Sequence, residues 1–533
     1  MPQISLVTET ETKTRLSQAV GTLLIFLFAA GGVFGIYFFS TRTDNVVYFN
    51  TLSVGNAQKM PMGVSGNEVV PAATAEYGPF EDRHAHLVAA NIDGDVELET
   101  LIADSQGIVS AWNTDGSLVS GWPTDALAGV VTAPAVGNLD TDPEPEIVVA
   151  GSYRFFVYEH DGTIKDGWPI DAQNYAQTPV VHDFDGDGVD EIVVAHHIAP
   201  GQNEQAVFVY NAGGQVLDPW PLPEPADTVS VKESGQPRGD ILSVTLGNID
   251  ADQDLEIIAY DAEYRGGQIR GAVWAWNFDG SAVDGDGDGQ ADWPQRFDRV
   301  YQHNLNTGAN AVAADLDGDG RDEVIAIGLT DQFNAMNFHV WNGAGEYLEG
   351  WPKEMSFQSY SADFLTVGDI AGDARPEIIF PFSTYDDSTE VYAWSADGSV
   401  VEGFPATISG GLWMSHLAAV NDIDGDGKGE IIQATRLYQS DDSMISAIDG
   451  DGTVLANDFW PLWFDSQDMT TPMIVMLQDG QLWLTAAFAG PDGQGNVNWY
   501  NLETKSLQED WPMFKHDAAH STRWHSNRTT ITP

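Results

Sequence analysis

Seven short stretches of the chain carry oxygen-bearing side chains at alternate positions. Each is nine residues long, with most of these side chains at positions 1, 3, 5 and 9, and the stretches are 91–99, 138–146, 183–191, 248–256, 315–323, 369–377 and 422–430. Carboxylates so close together repel one another unless a cation neutralises them. Calcium suits this chemistry because it takes about six to eight oxygen ligands in flexible geometry. The spacing therefore predicts calcium loops; the alternative is a set of acidic surface turns that bind nothing.

The predicted ligands come from every loop, with a backbone carbonyl added at position 7. They are Asn91, Asp93, Asp95, Glu97, Glu99, Asn138, Asp140, Asp142, Glu144, Glu146, Asp183, Asp185, Asp187, Val189, Glu191, Asn248, Asp250, Asp252, Asp254, Glu256, Asp315, Asp317, Asp319, Arg321, Glu323, Asp369, Asp373, Glu377, Asp422, Asp424, Asp426, Lys428 and Glu430. Three loops begin with Asn, a neutral oxygen ligand, and are expected to remain competent. Loop 369–377 has Ala371 at position 3, which predicts a weak or empty site.

An eighth acidic run, 284–292, has Asp284, Asp286, Asp288 and Asp292 at the same spacing. It lies in an insertion of the fourth repeat and is a further candidate site. Magnesium fits these loops poorly because it demands octahedral geometry and retains water. Zinc would favour His or Cys ligands, and the chain has no Cys. We therefore expect about six or seven Ca²⁺ ions, with one more at 284–292 if that run binds.

The elements around the loops repeat in a fixed order. A short β-branched run follows each loop, as in EIVVAH (191–196), and reads as a buried strand. A strand with an aromatic residue comes next and ends in a turn such as Asp-Gly. Each unit closes with Trp-Pro or a relative, at 121–123, 167–169, 219–221, 292–294, 350–352, 403–405, 459–461 and 510–512. The closing aromatic residues are expected to pack between units.

Four short strands repeated at this period predict an all-β fold, a β-propeller of eight four-stranded blades. The eighth unit, about 471–514, keeps the strands but lacks the carboxylates, so seven blades are the alternative. A single unit cannot bury both faces of its sheet, whereas a ring buries each blade against its neighbours.

The N-terminal region contains an uncharged run over 20–39, long enough for a transmembrane helix. Lys13 and Arg15 precede it and Arg42 follows, which favours a cytoplasmic N-terminus. A signal peptide cleaved near Ala29 is the alternative. The predicted organisation is a tail over 1–19, the helix, a stalk over 40–83, the propeller over 84–514 and a closure tail over 515–533, with the propeller outside the membrane.

The chain has 533 residues and a formal charge of −58. Phosphates would meet like charge, so nucleic acid is excluded as the expected partner. The acidity suits a saline or calcium-rich exterior or serves solubility alone. Without cysteine, disulfides and thiolate chemistry are impossible.

The loops and the apolar strand after them, as in DFDGDGVDEIVV (183–194) and DLDGDGRDEVIAI (315–327), resemble the FG-GAP/VCBS repeat family, which includes the integrin alpha-subunit head. The C-terminal WPMFKHDAAHSTRW (511–524) is similar to the ending of bacterial members. The resemblance covers about 84–525 and implies a calcium-binding propeller on a bacterial or archaeal cell surface. It does not identify an activity, because the family includes adhesins, receptor ectodomains and polysaccharide lyases.

No catalytic constellation stands out. The motif HDAAH (516–520) lacks the Glu of a zinc protease, and no nucleophile motif is present. The favoured hypothesis is a binding or adhesion module for a protein or glycan, with its ligand surface on the insertions at 197–206, 222–240, 262–271 and 281–292. The alternatives are a polysaccharide-active or quinone-dependent enzyme and a structural surface or filament component.

Overall fold

The computed structural model divides the chain into two compact units, Met1–Glu68 and Val69–Pro533. It describes residues 24–30, 33–39, 41–42, 45–46, 71–79, 87–95, 97–104, 106–126, 132–151, 154–171, 178–197, 205–220, 240–250, 252–265, 268–297, 311–329, 335–356, 365–383, 388–409, 412–415, 418–437, 442–465, 469, 473–476, 481–489, 494–505 and 523–524.

The first unit contains two short strand pairs. Leu24–Ala30 pairs antiparallel with Val33–Phe39, and Thr41–Arg42 pairs with Asn45–Val46. The helix predicted over 20–39 is thus not found, since its described residues form strands. The run is rich in Phe, Val, Ile and Tyr, which favour strands, and has Gly-Gly between its halves. Among the described residues, no helix has the length and apolarity needed to cross a membrane.

The second unit is an eight-bladed β-propeller of antiparallel sheets. Blades 1 to 4 contain the strands Val88–Ala90, Glu99–Ala103 and Val109–Trp112; Ala135–Gly137, Glu146–Ala150, Arg154–Tyr158 and Ile170–Asp171; Val180–His182, Glu191–His197 and Gln205–Tyr210; Asp240–Gly247, Glu256–Arg265, Gln268–Trp276 and Gln295–Phe297. The predicted order of strands within each repeat is confirmed.

Blades 5 to 8 follow the same order. Their strands are Ala311–Ala314, Glu323–Leu329, Ala335–Trp341 and Lys353–Ser356; Thr366–Gly368, Glu377–Ser383, Ser388–Trp394 and Ala406–Ser409; Leu412–Ser415 with Ala419–Asn421, Glu430–Leu437, Ser443–Ile448 and Leu462–Phe464; Met473–Met476, Gln481–Ala489, Gln494–Lys505 and Ala73–Pro79. First strands of successive blades contact one another, which places them on the inner side of the ring.

The ring is closed by a strand from upstream of the predicted boundary. Ala73–Pro79 pairs antiparallel with Gln494–Lys505 as the fourth strand of blade 8. The indole N–H of Trp499 then donates to the hydroxyl of Thr100 in blade 1 at 3.0 Å. The propeller therefore begins before residue 84; sequence analysis missed this strand because it carries neither an acidic loop nor a Trp-Pro closure.

The C-terminal tail does not lie at this closure in its described part. Arg523–Trp524 pairs parallel with Ala313 and Ala314, on the first strand of blade 5. A short extended segment can add there because the first strand of a blade has a free hydrogen-bonding edge toward the ring centre. The HDAAH motif lies outside the described residues.

The closing tryptophans link neighbouring blades, as the sequence predicted. The indole N–H of Trp168 in blade 2 donates to the carbonyl of Ala212 in blade 3 at 2.9 Å, and that of Trp351 in blade 5 donates to Ala396 in blade 6 at 2.7 Å. The glycine before the tryptophan allows this approach. At Gly350, with φ of 87°, a Cβ would lie 2.0 Å from the carbonyl oxygen of Asp397, so a side chain does not fit.

Candidate metal loops

Each of the seven acidic loops joins the first and second strands of its blade. One carboxylate oxygen of the Glu at position 9 accepts the backbone N–H of position 2, and this closes the loop. The bonds are Glu99 to Ile92 at 2.8 Å, Glu146 to Leu139 at 2.5 Å, Glu191 to Phe184 at 3.0 Å, Glu256 to Ile249 at 2.7 Å, Glu323 to Leu316 at 2.8 Å, Glu377 to Ile370 at 3.0 Å and Glu430 to Ile423 at 2.7 Å.

The aspartates at positions 1, 3 and 5 shape the turn by accepting backbone N–H groups. In loop 183–191, Asp183 accepts from Gly186 at 2.8 Å and Gly188 at 2.9 Å, Asp185 accepts from Asp187 at 3.1 Å, and Asp187 accepts from Val189 at 2.9 Å. Such side-chain-to-backbone bonds are typical of Asx turns. They leave other carboxylate oxygens free to converge.

The second oxygen of the position-9 Glu lacks a hydrogen bond in three loops. Oε1 of Glu99, of Glu146 and of Glu430 is buried and has no hydrogen-bond partner among the described residues. These side chains are at most 1% exposed. A buried carboxylate oxygen left in this state is costly unless a cation or proton satisfies it. Glu99 and Glu430 therefore fit a hard cation such as calcium, whereas Oε1 of Glu146 already lies 3.6 Å from the ammonium of Lys165.

Burial raises the pKa of the position-9 carboxyl in all seven loops, and the neighbouring aspartates raise it further. The pKa reaches about 7 at Glu99, Glu146 and Glu191, and about 8 at Glu256, Glu323, Glu377 and Glu430. Without a bound divalent ion, this carboxyl group thus keeps its proton up to a pH of about 7 or 8. A bound divalent ion would reverse this preference.

The structure brings the predicted ligands of several loops together. In each group, one oxygen per residue lies within 4.8 Å of the others; the groups include Asp93, Asp95 and Glu99; Asp183, Asp185 and Glu191; Asp250, Asp252 and Glu256; and Asp284, Asp286 and Asp292. The long side chains of Glu97 and Arg321, both at position 7, form hydrogen bonds with residues outside their own loops. Glu97 accepts a hydrogen bond from the hydroxyl of Thr114 at 2.7 Å, and Arg321 donates to the carbonyl of Gly285 at 3.2 Å.

The run 284–292 has the hydrogen bonds of the seven loops, although it lies between the third and fourth strands of its blade. Asp292 accepts the N–H of Gly285 at 2.8 Å, in the role of a position-9 carboxylate. Asp284 accepts from Gly289 at 2.7 Å. Metal binding here stays a prediction.

Loop 369–377 keeps the turn despite Ala371. Asp369 accepts the N–H groups of Gly372 at 2.6 Å and Ala374 at 2.7 Å. Ala374, at position 6, has φ of 69°, where the complete loops 183–191, 315–323 and 422–430 have glycine. A β-carbon in this conformation is strained. The expectation of a weak or empty site at this loop stays a prediction.

Neighbouring loops are hydrogen-bonded to one another, a feature that the sequence pattern did not reveal. In three pairs of neighbouring blades, the N–H at position 8 of one acidic loop donates to the carbonyl at position 1 of the acidic loop in the preceding blade. The pairs are Asp190 to Asn138 at 2.7 Å, Asp322 to Asn248 at 2.7 Å and Gly429 to Asp369 at 2.9 Å. In blades 2 and 6 the position-8 residue is proline, which has no N–H to donate.

A basic residue that sequence analysis missed, Lys165, lies beside loop 138–146. The ammonium of Lys165, on the closing segment of the same blade, lies 2.5 Å from Oδ2 of Asp140, 3.4 Å from Oε1 of Glu159 and 3.6 Å from Oε1 of Glu146. The signal was available in the sequence, because the position of Lys165 relative to Trp-Pro can be aligned across the repeats.

A protein-family model described as an FG-GAP-like repeat matches residues 315–380, which include the loops of blades 5 and 6. No curated protein matches the chain. Among solved structures, the Dos1 propeller matches with 11% identity and a TM-score of 0.49, covering 83% of this chain and 97% of its own. BBS1N in complex with ARL6DN matches with 11% identity and a TM-score of 0.41, covering 82% and 99%. The V. cholerae biofilm matrix protein Bap1 matches with 11% identity and a TM-score of 0.37, covering 86% and 97%.

Proposed function

We propose, from an FG-GAP-like repeat set in an eight-bladed propeller, that this protein is a calcium-stabilised binding module. Propellers of the FG-GAP type are typically binding or adhesion modules. Calcium would be held by the carboxylate and amide oxygens at positions 1, 3, 5 and 9 of the acidic loops. Its contribution would be to neutralise the clustered charge and to fix the loop that joins the first two strands of each blade.

The observation that carries this proposal is the repeated buried glutamate. In every acidic loop, the position-9 side chain accepts the equivalent backbone N–H, and at Glu99 and Glu430 its other oxygen is buried without a hydrogen bond among the described residues. An acidic turn needed only for solubility would keep its carboxylates exposed to water. A divalent cation supplies the missing partner and removes the repulsion among the aspartates.

We propose that the ligand surface lies on the face opposite the acidic loops. Strand alternation puts the second-to-third-strand connections and the blade-to-blade connections there. The insertion at 281–292 joins the third and fourth strands of blade 4 and so lies on the face of the acidic loops, outside this surface. Among the blades with acidic loops, blade 4 has the longest described middle strands, Glu256–Arg265 and Gln268–Trp276, with 10 and 9 residues. The corresponding strands of blade 2 have 5 residues each. Variable connections on a rigid scaffold are where binding residues concentrate.

Exposed calcium modules commonly have dissociation constants of about 10⁻⁴–10⁻³ M, so such sites fill outside cells and remain empty in cytosol. We therefore propose an extracytoplasmic location, with a protein or glycan as ligand. Attachment to a membrane through 20–39 stays a prediction from the sequence. The acidic balance gives no support to nucleic acid as a partner.

Two experiments test the proposal. The purified full-length chain is melted in calcium and in chelator, and calcium should raise the melting temperature by many degrees. Magnesium at equal concentration is the control and should give a much smaller rise. Identical curves in calcium and chelator would refute calcium stabilisation. The calcium-loaded chain is then applied to a glycan array, where selective binding supports the glycan ligand and uniform absence of binding favours a protein ligand.

A further inference from the structure

Lys165 occupies a position that is apolar in the other acidic-loop blades. The structural equivalents directly follow the residue that bridges back to the third strand. They are Val119, Leu217, Val283, Leu348, Val401 and Leu455. Lys165 therefore replaces a core-facing aliphatic residue in blade 2 alone, and its side chain is 10% exposed. A lysine this buried requires compensating charge.

The compensating charge comes from the acidic loop itself. Asp140 and Glu146 stand at positions 3 and 9, where the other loops gather their oxygens. The ammonium of Lys165 lies 2.5 Å from Asp140 and 3.6 Å from the Oε1 atom of Glu146, which has no hydrogen bond. The ammonium is thus placed among the same oxygens that a divalent ion would contact.

A third carboxylate in blade 2 completes this arrangement. Glu159 lies 3.4 Å from the ammonium and begins the turn after the third strand. The equivalent turn residues of the other acidic-loop blades are Asn113, Asn211, Asn277, Asn342, Ser395 and Asp449. Five of these six are uncharged. Blade 2 therefore has an additional acidic residue, Glu159, beside the additional basic residue, Lys165. Together with the acidic loop they form an ion-pair network.

We propose that the ammonium of Lys165 is the resident cation of loop 138–146, so that this loop binds no calcium while the complete loops 183–191, 315–323 and 422–430 do. The inference rests on the proposed calcium binding and refines it. The cation of blade 2 would then be a side chain of the protein itself, so loop 138–146 would stay ordered when calcium is removed. A lysine supplies one positive charge and three donors but cannot match the coordination of Ca²⁺, so the two modes exclude each other at this site.

The test compares three full-length chains by equilibrium dialysis and elemental analysis at saturating calcium. Lys165→Leu places in blade 2 the residue that blades 3, 5 and 7 already have, and it should bind one more calcium per chain than the wild type. Leu217→Lys introduces the lysine into blade 3, beside the complete loop 183–191, and should bind one fewer. Equal stoichiometry in the wild type and Lys165→Leu would overturn the proposal.

Hydrogen exchange separates this inference from the proposed function. In the wild type, chelation should accelerate exchange at loops 183–191 and 422–430 and leave loop 138–146 unchanged. In Lys165→Leu, loop 138–146 should become calcium-dependent like the others. If chelation changes the exchange rate of none of the loops in the wild type, the proposed function is refuted. If chelation accelerates exchange at loop 138–146 in the wild type, only the role of Lys165 is refuted. If Lys165→Leu does not fold, Glu159→Asn with Lys165→Leu removes the excess acid and serves instead.

Discussion

Asp190 and Asn138, which lie in different blades, are joined by two backbone-directed hydrogen bonds. The N–H of Asp190 donates to the carbonyl of Asn138, and the N–H of Asn138 donates to Oδ2 of Asp190, both at 2.7 Å. Asp322 and Asn248 form the same pair between blades 5 and 4, also at 2.7 Å. Acidic loops of neighbouring blades are thus linked in pairs, blade 2 with blade 3 and blade 4 with blade 5.

Asp190→Ala removes the acceptor of this pair. The half-buried N–H of Asn138 loses its partner, so the free energy of unfolding should fall by about 1–3 kcal/mol. Urea denaturation in calcium measures the change. Asp322→Ala should lower the free energy of unfolding by a similar amount. As a control, Asp166→Ala changes an exposed side chain and should lower it by less than about 0.5 kcal/mol. Equal effects of Asp190→Ala and Asp166→Ala would show that the link contributes nothing.

Glu430→Gln keeps an acceptor for the N–H of Ile423 but removes the charge. The chain should bind one calcium fewer, and calcium should raise its melting temperature less than it does for the wild type. In chelator the variant should be at least as stable as the wild type near pH 8, because a buried neutral amide replaces a carboxylate that resists ionisation. The exposed Glu354→Gln should alter neither quantity. Unchanged calcium stoichiometry would remove Glu430 from the ligand set.

The position-9 glutamates make the stability of the calcium-free protein depend on pH in an unusual range. Burial raises their pKa from the ordinary 4.5 to about 7 or 8, so the folded chain binds more protons than the unfolded chain in this range. Stability is then highest below about pH 4.5 as far as these groups are concerned, and it is lost as pH rises through 7 to 8. In chelator, the melting temperature should therefore fall between pH 5.5 and 8.5. Saturating calcium should abolish most of this fall, and a fall of equal size in calcium would contradict the prediction.

Ala374→Gly should stabilise the protein. Ala374 has φ of 69° at the position where complete loops have glycine, and glycine adopts this conformation without a steric cost. We expect a gain of about 1 kcal/mol in the free energy of unfolding. Gly320→Ala is the matched reverse change, since a Cβ there meets nothing within 4 Å and only the conformation opposes it. It should cost a similar amount, and a neutral Gly320→Ala would show that the turn adapts.

Trp351→Phe removes the indole N–H that reaches Ala396 in the next blade. Phe404 takes the tryptophan position in blade 6, so the smaller ring has a native precedent. The loss should be about 1–3 kcal/mol, since the carbonyl loses its donor and some apolar contact is lost. Urea denaturation checks this against Trp463→Phe, which alters a side chain that is 41% exposed. A loss no larger than that of Trp463→Phe would contradict the role of the hydrogen bond.

The local pattern was sufficient to predict the blades because both strand periodicity and loop chemistry recur within each unit. What it missed depends on contacts between distant residues. The pairing of Ala73–Pro79 with blade 8 and of Arg523–Trp524 with blade 5 follows from ring geometry, which no single repeat encodes. Aligning the repeats shows that Lys165 replaces an aliphatic residue, but its pairing with Asp140 follows only from the fold. The apolar run 20–39 satisfies the criteria of a helix and of strands, so its pattern could not decide between them.

The strand Ala73–Pro79 also dictates how this protein should be dissected. A recombinant fragment starting at residue 84 would leave the outer edge of Gln494–Lys505 with unpaired N–H and C=O groups. Such an edge invites pairing with a second molecule. Insolubility of that fragment would thus result from the missing fourth strand of blade 8, and adding a synthetic peptide with the sequence of residues 71–79 should restore its solubility.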